Sequence, residues 1–145
     1  MRITRRGEYG LAAVLYLASQ PDGKLSLRDE IARRCGIPRT FLAQILARLR
    51  HRGILGSVRG KKGGYYLRAE PGRLSLADVL EALEGPIELI RTIEHADEKD
   101  ADFLNTRVRE FFGRLQTRGH ELLKSMMIAE MLPSRSGHAG SEGEE

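Results

Sequence analysis

Two groups of residues have the types and spacing needed to hold a polyanion. The first is Arg59-Gly60-Lys61-Lys62-Gly63-Gly64, three cations among glycines that permit a tight turn and close backbone approach. The second lies on a helical wheel of residues 39–51. There Thr40, Ala43, Gln44, Ala47 and His51 share one side, with Arg39, Arg48 and Arg50 at its margins. Small central residues let a helix sit close to a groove floor, while marginal arginines reach the phosphates that border it. Thr40 and Gln44, near the N-terminal end, are the expected base readers. The competing reading of both groups is an ordinary solvated basic surface.

Other chemistry has fewer residues to work with. A Walker loop needs four residues between its first glycine and Gly-Lys-Ser/Thr, and the glycine-rich run lacks that spacing. No nucleophile is paired with a base, no ligands have metal spacing and no dinucleotide fingerprint follows a strand, so the expectation is that this is not an enzyme. Cys35 is the only cysteine, which excludes an internal disulfide or a multi-thiolate centre within one chain. It reads as packing.

Charge divides the chain. Residues 1–68 hold 15 Lys and Arg against 4 Asp and Glu, whereas residues 69–145 hold 9 against 16. A net +11 in the first half suggests a polyanionic partner there, because neutralised phosphates release condensed counterions. The acidic half must serve another purpose.

The elements that position these groups are punctuated clearly. Thr4 is placed to cap a helix running to about Ser19, with Leu11, Val14, Leu15 and Ala18 on one face, until Gln20-Pro21-Asp22-Gly23 breaks it. Ser26, with Asp29 three residues on, suggests the cap of a second, short helix carrying Leu27, Ile31 and Cys35 before Gly36. Pro38 opens a third helix reaching about Arg52, whose Phe41, Leu42, Ile45, Leu46 and Leu49 face the first two. Residues 54–58 and 64–68 then read as two β-prone segments joined by the basic tip. Ser75 and Asp78 form a capping pattern for a helix through Leu76, Val79, Leu80 and Leu83 that stops at Gly85-Pro86. Residues 87–101 are ambiguous.

From Asp102 to Met131 a seam of Leu104, Val108, Phe111, Leu115, Gly119, Leu122 and Met126 predicts one further helix. At 1.5 Å per residue it would be roughly 45 Å long, more than so small a domain covers, so dimerisation is expected. Residues 133–145, from Pro133 onward, hold no large apolar residue and read as a disordered tail. The chain has 145 residues, 41% of them hydrophobic and 30% charged, which is the composition of one soluble domain with a small appendage. The longest apolar run, Leu11 to Ala18, is far below the roughly 20 residues of a membrane span. Arg2, Arg5 and Arg6 imitate the start of a secretory signal, but Glu8 and Gly10 interrupt it, so a cytoplasmic protein is expected.

Three stretches resemble a known family. The run Ser57-Val58-Arg59-Gly60-Lys61-Lys62-Gly63-Gly64-Tyr65, the opening Met1-Arg2-Ile3-Thr4 with Gly7-Glu8-Tyr9, and Phe41-Leu42-Ala43-Gln44-Ile45-Leu46 look like the Rrf-type bacterial transcription regulators. The resemblance covers residues 1–86 well and the remainder in layout. It implies a winged-helix homodimer on palindromic operators, with a long C-terminal helix crossing to the partner subunit. The matching wing arginine, Arg59, would enter the minor groove, and positions matching Thr40, Ala43 and Gln44 would read bases. Ala43 stands where some members carry Glu, so their operator preference does not transfer.

Cluster-binding members place three cysteines in the loop before the dimer helix, here about residues 88–101, and this chain has none. The resemblance therefore implies no iron–sulfur cluster, and no cofactor is expected. A site built from Glu8 and His95 across the dimer is the weak alternative, since two ligands underdetermine a metal.

The expected fold is mainly α with a small β-hairpin wing: a winged helix-turn-helix plus a long C-terminal dimerisation helix. Residues 1–86 form the DNA-binding domain, 87–132 the linker and dimerisation helix, and 133–145 the tail. The DNA-contact set is Arg39, Thr40, Ala43, Gln44, Arg48, Arg50, Arg59, Gly60, Lys61, Lys62 and Tyr65. The dimer set is Leu104, Val108, Phe111, Leu115, Leu122 and Met126. The expected function is a sequence-specific transcription regulator, a repressor, with double-stranded DNA and a second copy as partners and a protein or small-molecule effector besides. The alternative is a regulator that acts mainly by docking a protein partner, such as a metabolic enzyme, through the acidic half.

Overall fold

The computed structural model describes residues 3–88 and 103–133. The first helix, α1 (Arg5–Ala18), starts where the Thr4 side chain accepts from the Gly7 N–H. Its buried residues are Gly7, Gly10, Ala13, Val14 and Leu17, a face that shares Val14 with the expected one and is otherwise displaced toward smaller residues. Leu11, Leu15 and Ala18 are only half-buried. The reason is size: a Cβ on Gly10 would overlap the Leu83 methyl groups, so small residues allow a neighbouring helix to lie against α1.

That neighbour is α4 (Leu76–Glu84), which begins at the full Ser75–Asp78 capping box. Between α1 and α4 in the chain come α2 (Arg28–Cys35), α3 (Arg39–His51) and the antiparallel strands β1 (Leu55–Val58) and β2 (Gly64–Leu67). The strands pair Leu55 with Leu67 and Val58 with Gly64. One core joins α1, α2, α3, the hairpin and α4, with Val14, Ile31, Leu42, Ile45, Leu46, Leu49 and Leu83 fully enclosed.

Two expectations are corrected here. Ser26 does not cap α2, whose N-cap is Leu27 without a side-chain bond. Ser26 is instead buried and pairs through its backbone with Tyr65 of β2, at 2.9 Å and 2.8 Å, as a single antiparallel bridge at the base of the two-stranded wing. A local capping pattern cannot report a backbone pairing nearly forty residues away in sequence. The C-terminal helix also does not run to Met131. It is α5 (Phe103–Ser125), 23 residues and roughly 35 Å long, and the chain then turns. Leu76 N–H donates to Met126 O and Ile128 N–H to Leu74 O, both at 2.8 Å, before the short α6 (Ile128–Met131). Ile128 has no exposure, so its burial in the core and these pairings outweigh continued helix.

α5 lies along α4. His120 Nε2 is 2.8 Å from Glu81 Oε1, Gln116 donates to the Ile87 carbonyl at 2.5 Å, and Leu123 packs on the cluster of Leu76, Ala77, Leu80 and Ile87. At the far end of α1 a polar cluster closes the turn to α2. The Tyr16 hydroxyl donates to Glu30 Oε1 at 2.5 Å, and Lys24 Nζ lies 2.9 Å from the same oxygen. Those two donors, Tyr16 above all, hold the Glu30 carboxyl below its ordinary range, while burial and then Glu30 push the Tyr16 hydroxyl up.

Because the folded Glu30 value is depressed, its contribution to stability is present above the ordinary carboxylate range and is lost as pH falls through the lowered value. Glu30→Gln should therefore cost about 0.5 kcal/mol at neutral pH, the scale of a partly exposed pair, and nothing in strong acid. Urea unfolding of both proteins at the two pH values measures this.

Candidate nucleic-acid interface

The rotation of α3 decides which of its residues can meet a partner. Leu42, Ile45, Leu46 and Leu49 have no exposure, and the Phe41 ring meets Tyr9 of α1 edge-on with centroids 5.7 Å apart. Thr40, Gln44, Ala47 and His51 are consequently turned outward, with Ala43 half-buried between them. Gly36, at φ 66°, ends α2 and lets the chain reverse into α3.

The wing tip is built on backbone contacts that side chains would obstruct. Gly63 N–H donates to Gly60 O at 3.0 Å, which puts Lys61 and Lys62 at the corner of the turn, and Gly60 has φ 111°. A Cβ on Gly63 would overlap the Val58 carbonyl. A Cβ on Gly64 would lie 2.8 Å from the Ser26 carbonyl oxygen. Arg59, Lys61 and Lys62 are all exposed. Arg50 Nη1 donates to Ser57 Oγ at 3.2 Å, tying the C-terminal half of α3 to the first wing strand. The outward face of α3 and the base of the wing thus form one connected surface.

Not every expected contact residue is free within it. Arg39 Nε lies 3.5 Å from Asp29 Oδ1, an exposed pair across the helix-turn-helix. Arg48 donates through Nη1 to the Leu83 carbonyl at 2.8 Å, across to α4. Tyr65 packs half-buried against the core instead of standing on the wing surface, and its neighbour Tyr66 is the exposed ring. Alternation along β2 explains the difference, since Tyr65 and Tyr66 point to opposite faces. Motif spacing did not single out the exposed cations Arg28, Arg33, Arg34, Arg52 and Arg68. Their only signal was the charge excess of the first half.

The acidic and sulfur-bearing candidates can be placed as well. Glu8 is exposed on α1, and His95 lies outside the described residues. Among the described residues no group of three His, Cys, Asp or Glu is arranged to hold a metal ion. Cys35 is half-buried, its Sγ 3.8 Å from the Ala12 carbonyl, and burial pushes the thiol up.

α5 carries an apolar stripe open to solvent among its exposed charged residues. Phe111 is 66% exposed and Leu122 61%, with Val108, Phe112 and Leu115 also open. Phe112 belongs to this face although the four-and-three spacing passed over it. Leu104 lies in the first turn of α5, its side chain outside the described residues, and Met126 lies beyond the helix end.

Comparison with known proteins agrees with this geometry. The profile of the Rrf2 family, described as "Iron-dependent Transcriptional regulator", matches residues 3–134. The HTH-type transcriptional regulator CymR of Bacillus subtilis is 32% identical over 138 residues, 94% of each chain. IscR of Xenorhabdus nematophila is 31% identical, covering 90% of this chain and 84% of its own. The solved structure of CymR, the global cysteine regulator of B. subtilis, superposes with a TM-score of 0.76 over 90% of this chain and 95% of its own, at 27% identity. IscR of T. potens gives 0.70 over 90% and 85%, also at 27% identity.

The family description implies iron. The donor set does not fit a thiolate-bound cluster, because the one thiol of the chain is turned into the α1–α2 packing and a cluster needs several.

Replacing Gly63 by Ala should open the wing tip, because the obstructing atom is a backbone carbonyl that cannot rotate away. Amide hydrogen exchange at Ser26 and Tyr65 should accelerate at least tenfold, the consequence of about 1.4 kcal/mol less local stability, while amides of α1 keep their protection.

Proposed function

The chain belongs to the Rrf2 family of transcriptional regulators, and we propose that it represses transcription as a homodimer bound to a palindromic operator. It is a DNA-binding regulator and not an enzyme, as its relatives are. The observation that supports the finer reading is the connection of the outward face of α3 to a cationic, glycine-built wing through Arg50 and Ser57.

In this reading α3 enters the major groove. Thr40 and Gln44 meet base edges, Ala43 and Ala47 allow close approach, and Arg39 and Arg50 serve the flanking phosphates. Arg59 reaches the minor groove, where the negative potential favours a guanidinium, while Lys61, Lys62 and the Gly60 backbone follow the sugar-phosphate edge. Residues 1–86 supply these contacts.

The second copy joins through the apolar face of α5 with Val108, Phe111, Leu115 and Leu122, an exposed patch that a monomer would leave in water. A two-fold pair presents two α3 helices, and their symmetry demands a palindrome. Repression needs only occupancy of a promoter, whereas activation demands a further contact to polymerase. The expected compartment is the cytoplasm, where the DNA lies; no described helix is long and apolar enough to cross a membrane.

A duplex selected from a random pool by the wild-type chain provides the assay. Arg59→Ala should weaken binding and reduce the slope of log affinity against log salt by about 0.9 per chain. Thr40→Ala and Gln44→Ala should change which base is preferred, by about 1–3 kcal/mol at one position, with the slope intact. Unchanged affinity and preference in all three would refute these roles.

For the dimer, Phe111→Glu with Leu115→Glu should yield monomers in sedimentation, with palindrome affinity reduced by at least about a hundredfold as the second half-site is lost. Intact dimers would contradict the assigned face.

A further inference from the structure

The last turn of α4 gathers contacts from three other helices. Glu81 meets His120 of α5 at 2.8 Å, and Glu84 accepts from the Thr4 hydroxyl at the start of α1. Just past the helix end, the Ile87 carbonyl accepts from Gln116 of α5 at 2.5 Å. The Leu83 carbonyl, between them, accepts from Arg48 of α3 at 2.8 Å. Carbonyls in a last helical turn have no intrahelical donor, and that end of the helix dipole is negative. α4 carries no basic residue in its last turn. Arg48 therefore supplies, from α3, both the donor and the positive charge that this helix end lacks.

The position of Arg48 on α3 gives that bond a consequence. It follows Gln44 by one turn, so the two lie on the same side of the helix. The residue as a whole stays exposed, with its Nη1 drawn in to Leu83.

We propose that Arg48 is a positioning residue and not a phosphate contact: it fastens α3 to the end of α4, so that the segment leaving α4, also held by α5, sets the orientation of the base-reading face. This rests on the DNA-binding reading above. It assigns the coupling between the pairing helix and the reading helix to one side-chain-to-carbonyl bond at Leu83, with Gln116 holding the segment that leaves α4 at Ile87.

The test uses the full chain, the duplex selected from a random pool and a mixed-sequence duplex, with Arg48→Gln, Arg48→Lys and Arg59→Ala. Arg48→Gln and Arg48→Lys should both keep the wild-type salt slope. Both should lose about tenfold of the affinity ratio between the two duplexes, the usual effect of a lost charge-assisted bond. Arg59→Ala marks the slope change that follows when one DNA-bound cation is lost, about 0.9 per chain.

A reduced slope in Arg48→Gln, with slope and ratio retained in Arg48→Lys, overturns the proposal. If Arg48→Gln does not fold, Arg48→Lys decides alone: a lost ratio supports the proposal and a wild-type ratio overturns it. Gln116→Ala should also reduce the ratio, and the double variant with Arg48→Gln should be no worse than the poorer single one; full additivity overturns the coupling. A wild-type chain that binds neither duplex removes the DNA-binding reading and this proposal with it, an outcome read before any variant is made.

Discussion

Leu42, Ile45, Leu46 and Leu49 of α3 are withdrawn completely from water, and each contributes roughly 2 kcal/mol by leaving it. Their burial admits only one rotation of the helix about its axis. Turning α3 by the 100° of one residue would expose part of this set and bring Gln44 or Arg48 inward, at the cost of an unpaired polar group in the core. The hydrophobic requirement thus presents Thr40, Gln44 and Ala47 to the outside without any interaction of their own. The side left open to a partner is the side the core cannot use.

The wing obeys a different constraint, because its tip has almost no core. Its shape comes from backbone pairing: Gly60 with Gly63 at the turn, β1 with β2 along the hairpin, and Ser26 with Tyr65 at its base. Tyr65 gives up its ring to the interior, which anchors the second strand. Three exposed cations at the end of so short a hairpin repel each other in the free protein, and a polyanion relieves that repulsion. Glycines are needed because the turn closes on carbonyl oxygens and not on side chains.

The C-terminal part of the chain joins these two pieces to a third. α5 lies on α4 by one face and leaves an adjacent apolar face open, and the chain then returns to bury Ile128 in the first core. The helix that offers a surface for a second copy is therefore fastened by its C-terminal half to both ends of α4. Gln116 and His120 hold it near the end of α4, and the Ser75–Met127 bridge holds it near the start. A movement between two copies would be felt first at α4.

Most of the architecture could be read from residue order, because the signals are local. Thr4, the Ser75–Asp78 pair, Gly36 and the basic glycine run each act on backbone within a few residues, and the apolar period of α3 is unambiguous. The resemblance of the wing and α3 motifs to a regulator family extended that reading to function. Local signals did not reveal that Gly7 and Gly10 form the buried face of α1, since close helix approach rewards small residues that a hydrophobic pattern ignores. Nor did they reveal that Ser26 bridges to the wing, that Arg48 bonds the end of α4, or that Tyr65 faces the core and Tyr66 the outside. The helix end at Ser125 was equally hidden. Each of these depends on a partner 35 or more residues away, or on which side of a sheet meets the core, and such pairings exist only once the chain has closed on itself.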